Sequence, residues 1–340
     1  MRLHLTLTYY LKGSERMLKY IGKRLLAMIP VILGVILIVY LIMSLAPGDP
    51  ARSILGEVAT EEQVAELRAQ MGLDQPVIIQ YFRYVWNLLH GDLGTSYSSR
   101  INVSTEIWSR FPNTIKLALC ASLISILLAL PLGIIAAVKQ NTFFDSASMF
   151  IAIIGISCPT FWFGLILILV FAVNLKWFPV SGQVDSLKGI ILPAVTLGFH
   201  SMASMARVTR SSMLEVIRQD YIRTARGKGQ SEVKIRYVHA LRNALIPIIT
   251  VIGNSFGSML CGAVLTESIF SIPGLGKLVV DAINIRNYPM VQGAVLFIAF
   301  IHAMVNLLVD ILYAVIDPRI RSQYSRPRKN RAAVRKKAAA

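Results

Sequence analysis

Six stretches of this chain, 25–48, 117–138, 146–175, 189–206, 243–266 and 287–309, contain no Asp, Glu, Lys or Arg. Each approaches or exceeds the roughly 20 residues that a helix needs to cross about 30 Å of hydrocarbon. In lipid every backbone N–H and C=O must be satisfied internally, so helices are the natural solution for stretches of this length. The expected fold is an all-α polytopic membrane protein with six transmembrane helices. A mean hydropathy of +0.59 and only 16% charged residues exclude an ordinary soluble domain.

The net charge of +17 would suit nucleic acid, but its distribution argues otherwise. Six Lys and Arg lie in residues 1–24, nine in 207–242 and nine in 319–337, whereas 47–113 holds five basic and eight acidic residues. With alternating spans the three basic segments share one side, and the positive-inside tendency makes that side the cytoplasm. The expected divisions are a basic cytoplasmic N-terminus (1–24), a first transmembrane helix (25–48), an extracytoplasmic helical cap (49–110), a five-helix core (111–316) and a basic cytoplasmic tail (317–340). The core carries a cytoplasmic loop at 207–243. The tail reads as a solvated or headgroup-binding end and not as a nucleic-acid site. The apolar run at 25–48 has no small-residue cleavage site and reads as an uncleaved span.

Beyond the turn Ala46-Pro-Gly-Asp-Pro50, a short helix is expected, with Thr60 as N-cap, Gln63 three positions on, Val64, Leu67 and Met71 on one face and Gly72 at its end. A second runs over 76–90, with Val77, Ile78, Tyr81, Val85, Leu88 and Leu89 as its apolar side and Gly91 closing it. Pro131 and Pro159 mark tolerated kinks inside spans. Cys120, Cys158 and Cys261 sit in spans without paired spacing and read as packing residues.

Gly253, Gly257 and Cys261 recur every fourth residue, a small-residue stripe suited to close helix packing. His302, Asn306 and Asp310 have the same spacing in the last span, where polar groups are costly unless they face a cavity or a partner. Involvement in a pathway or gate competes there with plain interhelical bonding, and with pairing of Asp310 to Arg319 or Arg321. Nothing supplies enzyme chemistry. The five His show no metal-ligand spacing, and Gly274-Leu-Gly-Lys277 has Ser271 where a phosphate loop needs its first Gly and Leu278 where it needs Ser or Thr. A channel or an ion-coupled carrier remains open on hydropathy alone, although no convincing internal repeat is visible.

The polar segment 207–243 is the part built for a soluble partner. Residues 211–226 are helix-compatible, with Met213, Leu214, Val216, Ile217, Tyr221, Ile222 and Ala225 on one face, Arg218, Arg223 and Arg226 on another, and Gly227 and Gly229 ending the run. A further helical turn is expected over 231–241, with Pro247 opening the fifth span. A short amphipathic helix of this kind either docks in a partner's groove or lies on headgroups.

The segment reads Asp220-Tyr-Ile-Arg-Thr-Ala-Arg-Gly-Lys-Gly229 followed by His239-Ala-Leu-Arg-Asn243. It resembles the inner loop of the permeases of ATP-binding-cassette importers, whose Glu-Ala-Ala, three residues, Gly motif aligns here with Arg223-Thr224-Ala225 and Gly229. The departure at two of three letters is similar to the peptide and nickel branch, and the first permease of dipeptide or oligopeptide importers is the nearest likeness. The resemblance extends over Ala46-Pro-Gly-Asp-Pro50, Met71-Gly-Leu-Asp74, Gln80-Tyr81, Gly91-Asp-Leu-Gly94 with Ser96, Thr209-Arg-Ser-Ser-Met-Leu-Glu215, Thr266-Glu267 with Ile269-Phe270, Pro273-Gly-Leu-Gly276 and Asp317-Pro-Arg319.

The resemblance implies a type I importer permease in a bacterial cytoplasmic membrane. It also implies a second homologous permease, two cytoplasmic ATPase subunits and an extracytoplasmic substrate-binding protein as partners. ATP and Mg would sit on the ATPases, with no cofactor, metal or catalytic residue on this chain. Asp220, Tyr221, Arg223, Thr224, Ala225, Arg226 and Gly229 would contact an ATPase, with Arg223 and Arg226 offered to acidic groups. The cargo would be a peptide, with a nickel chelate or glutathione as alternatives.

Overall fold

The computed structural model describes residues 2–45, 48–56 and 58–316, most of which are helical. Helix α1 (Arg2–Leu45) carries the first apolar stretch in its second half, Ile21–Leu45. The cap follows as α2 (Pro50–Leu55), α3 (Glu61–Met71) and α4 (Val77–Leu89). Thr60 closes the expected capping box with Gln63, and Gly72 ends α3 in the left-handed conformation at φ 68°.

The core comprises α5 (Val103–Val138), α6 (Phe143–Ser157), α7 (Thr160–Leu167) with a π-helical continuation Ile168–Asn174, α8 (Leu187–Ile217), α9 (Asp220–Gly227), α10 (Glu232–Lys234), a π-helical turn Ile235–Ala240, α11 (Leu241–Ile269), α12 (Leu275–Asn284) and α13 (Tyr288–Ile316). In α4, Tyr81 and Tyr84 pack on Ile36 of α1 and Leu296 of α13. Ile78 and Leu89, expected on that face, stay 53% and 75% exposed. At 3.6 residues per turn they fall at the edge of a stripe centred on Tyr81, Tyr84, Val85 and Leu88.

Helix α8 is the hub, packed mainly on α5 and flanked by α6 and α11. Small residues set these approaches. A Cβ at Gly133 would lie 2.5 Å from the Cβ of Thr209, one at Gly198 2.7 Å from the carbonyl of Ala121, and one at Gly155 2.8 Å from the Cβ of Ala203. The apolar window of α8 is 67% buried against 6% for α1, so α8 is core and α1 peripheral.

Among the described residues, five helices are long and apolar enough to cross a membrane, and a sixth span exists when α6 and α7, bent by 105°, count as one. The bend falls at Cys158–Pro159, where proline lacks an N–H and drives its predecessor out of the helical region.

Three boundaries differ from expectation. Helix α5 starts at Val103, not at 117, so the division at 110/111 falls inside it. Pro247 lies within α11 and does not open it. Burial of Ile235, Ala240, Ala244 and Ile248 in one cluster holds the helix together on both sides of that proline. The helix expected over 211–226 is interrupted at Arg218 and Gln219, where Gln219 is extended at φ −72°, ψ 150°. Ala46 and Pro47 of the turn cluster, and the tail 317–340 with Asp317-Pro-Arg319, Arg321 and the basic run, lie outside the described residues. All three cysteines are free.

Candidate functional site

The interruption at Gln219 turns the chain so that α9 lies as a separate amphipathic helix beneath the core, at the end opposite the cap. Its inward residue, Ile222, is fully buried in a cluster with Ile134, Ala137, Met213 and Ile235. The ends of α5, α8 and α11 therefore hold α9 by one apolar peg. Tyr221, 43% exposed, accepts a hydrogen bond from the Asn243 amide at 2.9 Å, and that amide also donates to the His239 carbonyl at 2.9 Å. His239 in turn lies 2.6 Å from Gln230. These polar bonds fasten α9 to the first turns of the α11 rod.

Away from Ile222 lies an open surface formed by Asp220, Arg223, Thr224 and Lys228, with Arg226 exposed one turn beyond the peg. The two arginines proposed from sequence differ in state. Arg226 is engaged within the chain by Glu232, with Nε donating at 2.8 Å and Nη2 at 3.4 Å. Among the described residues Arg223 reaches only Asp220, at 3.9 Å, and both are open to solvent. Beyond α9, Gly229 turns the chain at φ +73°, and a Cβ there would meet nothing within 4 Å. Its glycine is required by the left-handed turn and not by crowding within this chain. Val233, Tyr237 and Val238 add an exposed apolar flank, respectively 64%, 54% and 50% accessible.

A neighbouring tie escaped sequence reasoning. Asp145, at the start of α6, is buried and accepts two bonds from Arg210, both at 2.7 Å, plus the Asn141 N–H at 3.0 Å. Arg218 donates to Gln140 at 3.3 Å. The short turn before α6 is thereby locked to the stem of α8 that presents α9. The available signal was a lone Asp beside an apolar run, which names no partner.

The other candidate residues meet on the seam between α11 and α13. A Cβ at Gly253 would collide with Val309, and one at Gly257 would lie 3.2 Å from Nδ1 of His302 and 3.3 Å from Oδ1 of Asn306. Cys261 is half-buried. Asn306 and His302 bond at 3.0 Å, while His302 Nδ1 is buried and has no partner among the described residues. Asp310 pairs with Arg24 of α1 at 3.0 Å; Arg319 and Arg321, the partners weighed from sequence, lie outside the described residues. At the cap end, the Gly274-Leu-Gly-Lys277 turn is filled from within. Glu267, fully buried, accepts from the N–H groups of Gly276 at 2.7 Å and Lys277 at 3.1 Å, and from the Thr114 hydroxyl at 2.6 Å. An internal carboxylate thus holds the helix N-terminus that a phosphate would otherwise suit.

Comparison with known proteins gives the setting of this geometry. The family profile described as binding-protein-dependent transport system inner membrane component matches residues 129–322, and its N-terminal companion matches 17–118. The chain is 44% identical over 332 residues to the dipeptide transport system permease protein DppB of Alkalihalophilus pseudofirmus, covering 90% of this chain and 100% of that one. It is 43% identical over 336 residues to DppB of Escherichia coli K12, covering 90% and 99%. The di/tripeptide permease of Pseudomonas aeruginosa UCBPP-PA14 is 44% identical over 335 residues, covering 90% and 100%. Among solved structures, a chain of the inward-facing MetNI methionine ABC transporter superposes with a TM-score of 0.53 at 15% identity, covering 63% of this chain and 96% of that one, which speaks for the fold alone.

Proposed function

The chain belongs to the family of binding-protein-dependent transport system inner membrane components, and on that premise we propose how it is driven and what it carries. It is a permease subunit of an ATP-binding-cassette importer with the type I fold, and the ATP is hydrolysed by partner subunits. Short peptides are the cargo, a reading supported by relatives named for dipeptides and di/tripeptides at over 40% identity. Glutathione, a nickel chelate or an independent channel is correspondingly disfavoured.

Helix α9 is the coupling element, and the observation that carries this reading is its construction. One face is pegged into the core by Ile222, and the other, with Arg223 and Thr224, is left open at the polar end of the bundle. A second homologous permease completes the pathway, and two cytoplasmic ATPases bind below, holding ATP and Mg. Nucleotide binding would move α9 and, through Ile222 and the Asp145–Arg210 lock, the inner ends of α5, α6 and α8 together. Thermodynamically the ATPases bias a two-state bundle through differential contact with α9. Both termini and the loop 207–243 face the cytoplasm, and the cap 49–110 faces the binding protein. His302 and Asn306, bonded to each other on the α11–α13 seam, would act in gating the pathway as those helices shift, whereas Asp310, already paired, anchors α1.

The test is Gly229→Trp in the complex reconstituted in proteoliposomes. ATP-driven dipeptide uptake is expected to fall by at least tenfold and to become uncoupled from ATP hydrolysis, with the bundle still assembled. Uptake at the wild-type rate would remove α9 from the coupling route.

A further inference from the structure

Between α1, the cap and α13 lies a hollow that the coupling mechanism does not use. It has two lobes of about 280 and 150 Å³, joined through walls shared by Tyr40, Leu73, Gln80, Tyr288 and Gln292. Together they fall in the lower part of the roughly 300–1,000 Å³ typical of small-ligand sites, and a lobe near 150 Å³ is about the size that holds one benzene-sized group.

The smaller lobe is lined by Arg83 and Asp92 together, yet among the described residues neither forms an ion pair. Arg83 donates only to Gln75, at 2.6 Å, and Asp92 accepts only the N–H of Gly94, at 2.8 Å. Tyr84 lines the same lobe, is 8% exposed, and its buried hydroxyl has no hydrogen-bond partner among the described residues. A buried hydroxyl without a partner is costly in a finished fold, and Arg83 and Asp92, both exposed at the mouth of the lobe, keep most of their hydrogen-bonding capacity for a ligand. In the larger lobe Asp49 and Arg68 are already paired, at 3.6 Å, so the unpaired charges belong to the smaller lobe.

We propose that this hollow is a binding site for a small zwitterion carrying an α-ammonium and an α-carboxylate, a short peptide or a free amino acid, with Arg83 taking the carboxylate, Asp92 the ammonium and Tyr84 a polar backbone atom. The choice of a peptide among zwitterions rests on the importer reading; the charge arrangement does not. Such a site on the permease would receive cargo beside the cap before it enters the pathway.

The experiment is calorimetric titration of the full chain in lipid nanodiscs with glycylleucine, N-acetylglycylleucine, glycylleucinamide and leucine. Glycylleucine or leucine binds, and each blocked peptide binds at least tenfold more weakly. Arg83→Gln weakens glycylleucine about tenfold but leaves glycylleucinamide, which has no carboxylate, unchanged; Asp92→Asn weakens glycylleucine similarly but leaves the N-acetyl peptide unchanged. Tyr84→Phe, which gives up no bond within the protein, lowers affinity about threefold with no loss of thermal stability. Absence of zwitterion binding, or equal losses for every compound in each charge variant, overturns the site. Peptide uptake by the complete transporter without binding here removes the hollow alone. Binding here without peptide uptake by the complete transporter removes the importer reading alone.

Discussion

Single charged residues do three distinct jobs, decided by how far each is removed from water. Asp145 is 5% exposed and is held by both ends of the Arg210 fork, so its loss leaves a largely desolvated guanidinium without an acceptor. Asp145→Asn should cost about 2 kcal/mol, less than the roughly 3–5 typical of a fully buried pair, because the Arg210 side chain retains 26% exposure. Thermal unfolding of the detergent-solubilised protein checks this; an unchanged midpoint would make the lock inconsequential. Arg226 and Glu232, near half exposure, contribute little stability in water and serve to orient the turn after α9. Glu267 caps α12 from inside the fold. Asp145 and Glu267 are visible in the chain as isolated charges, and Glu232 has its partners within six residues. The partners of the first two are not legible, because Arg210 lies 65 residues from Asp145 and Thr114 153 from Glu267.

Helix α9 is too short to persist alone, since isolated helices below about 12–15 residues are marginal in water. Tertiary contact makes it, chiefly through Ile222. Ile222→Ala removes a fully buried side chain and should destabilise the docked helix by about 2–4 kcal/mol. Amide exchange in 220–227 would then rise while that in α5 stays protected; equal exchange in both variants would mean that Ile222 does not hold the helix. The amphipathic pattern and the closing glycines of this element are legible in the sequence. The break that precedes the helix is not, because residues 211–226 keep a helical period and carry no proline to interrupt it. A helix can turn away wherever capping and burial together outweigh one continued turn. The same limit applies to α11, where local chemistry put a start at Pro247 and packing put that proline inside the rod.

Across the whole molecule the charge asymmetry and the fold make one prediction. Lys228 is exposed on the surface of α9, at the end opposite the cap. A Lys228→Cys variant should react with a membrane-impermeant maleimide in inside-out vesicles and at least tenfold more slowly in right-side-out cells. Fast labelling from outside would invert the topology. The sequence alone determined that the chain carries about six apolar stretches of membrane-spanning length, that its positive charge gathers in three segments, and where a short amphipathic helix falls, because hydrophobic run length, charge and turn chemistry are local quantities. The tertiary structure decided what depends on residues distant in sequence. It bent the third span, made α8 the hub, locked Asp145 to Arg210 and gave Asp310 to Arg24. It also left Arg83, Asp92 and Tyr84 around one hollow without using them up. Those outcomes depend on which helix faces meet, and a one-dimensional pattern specifies a face without naming its partner.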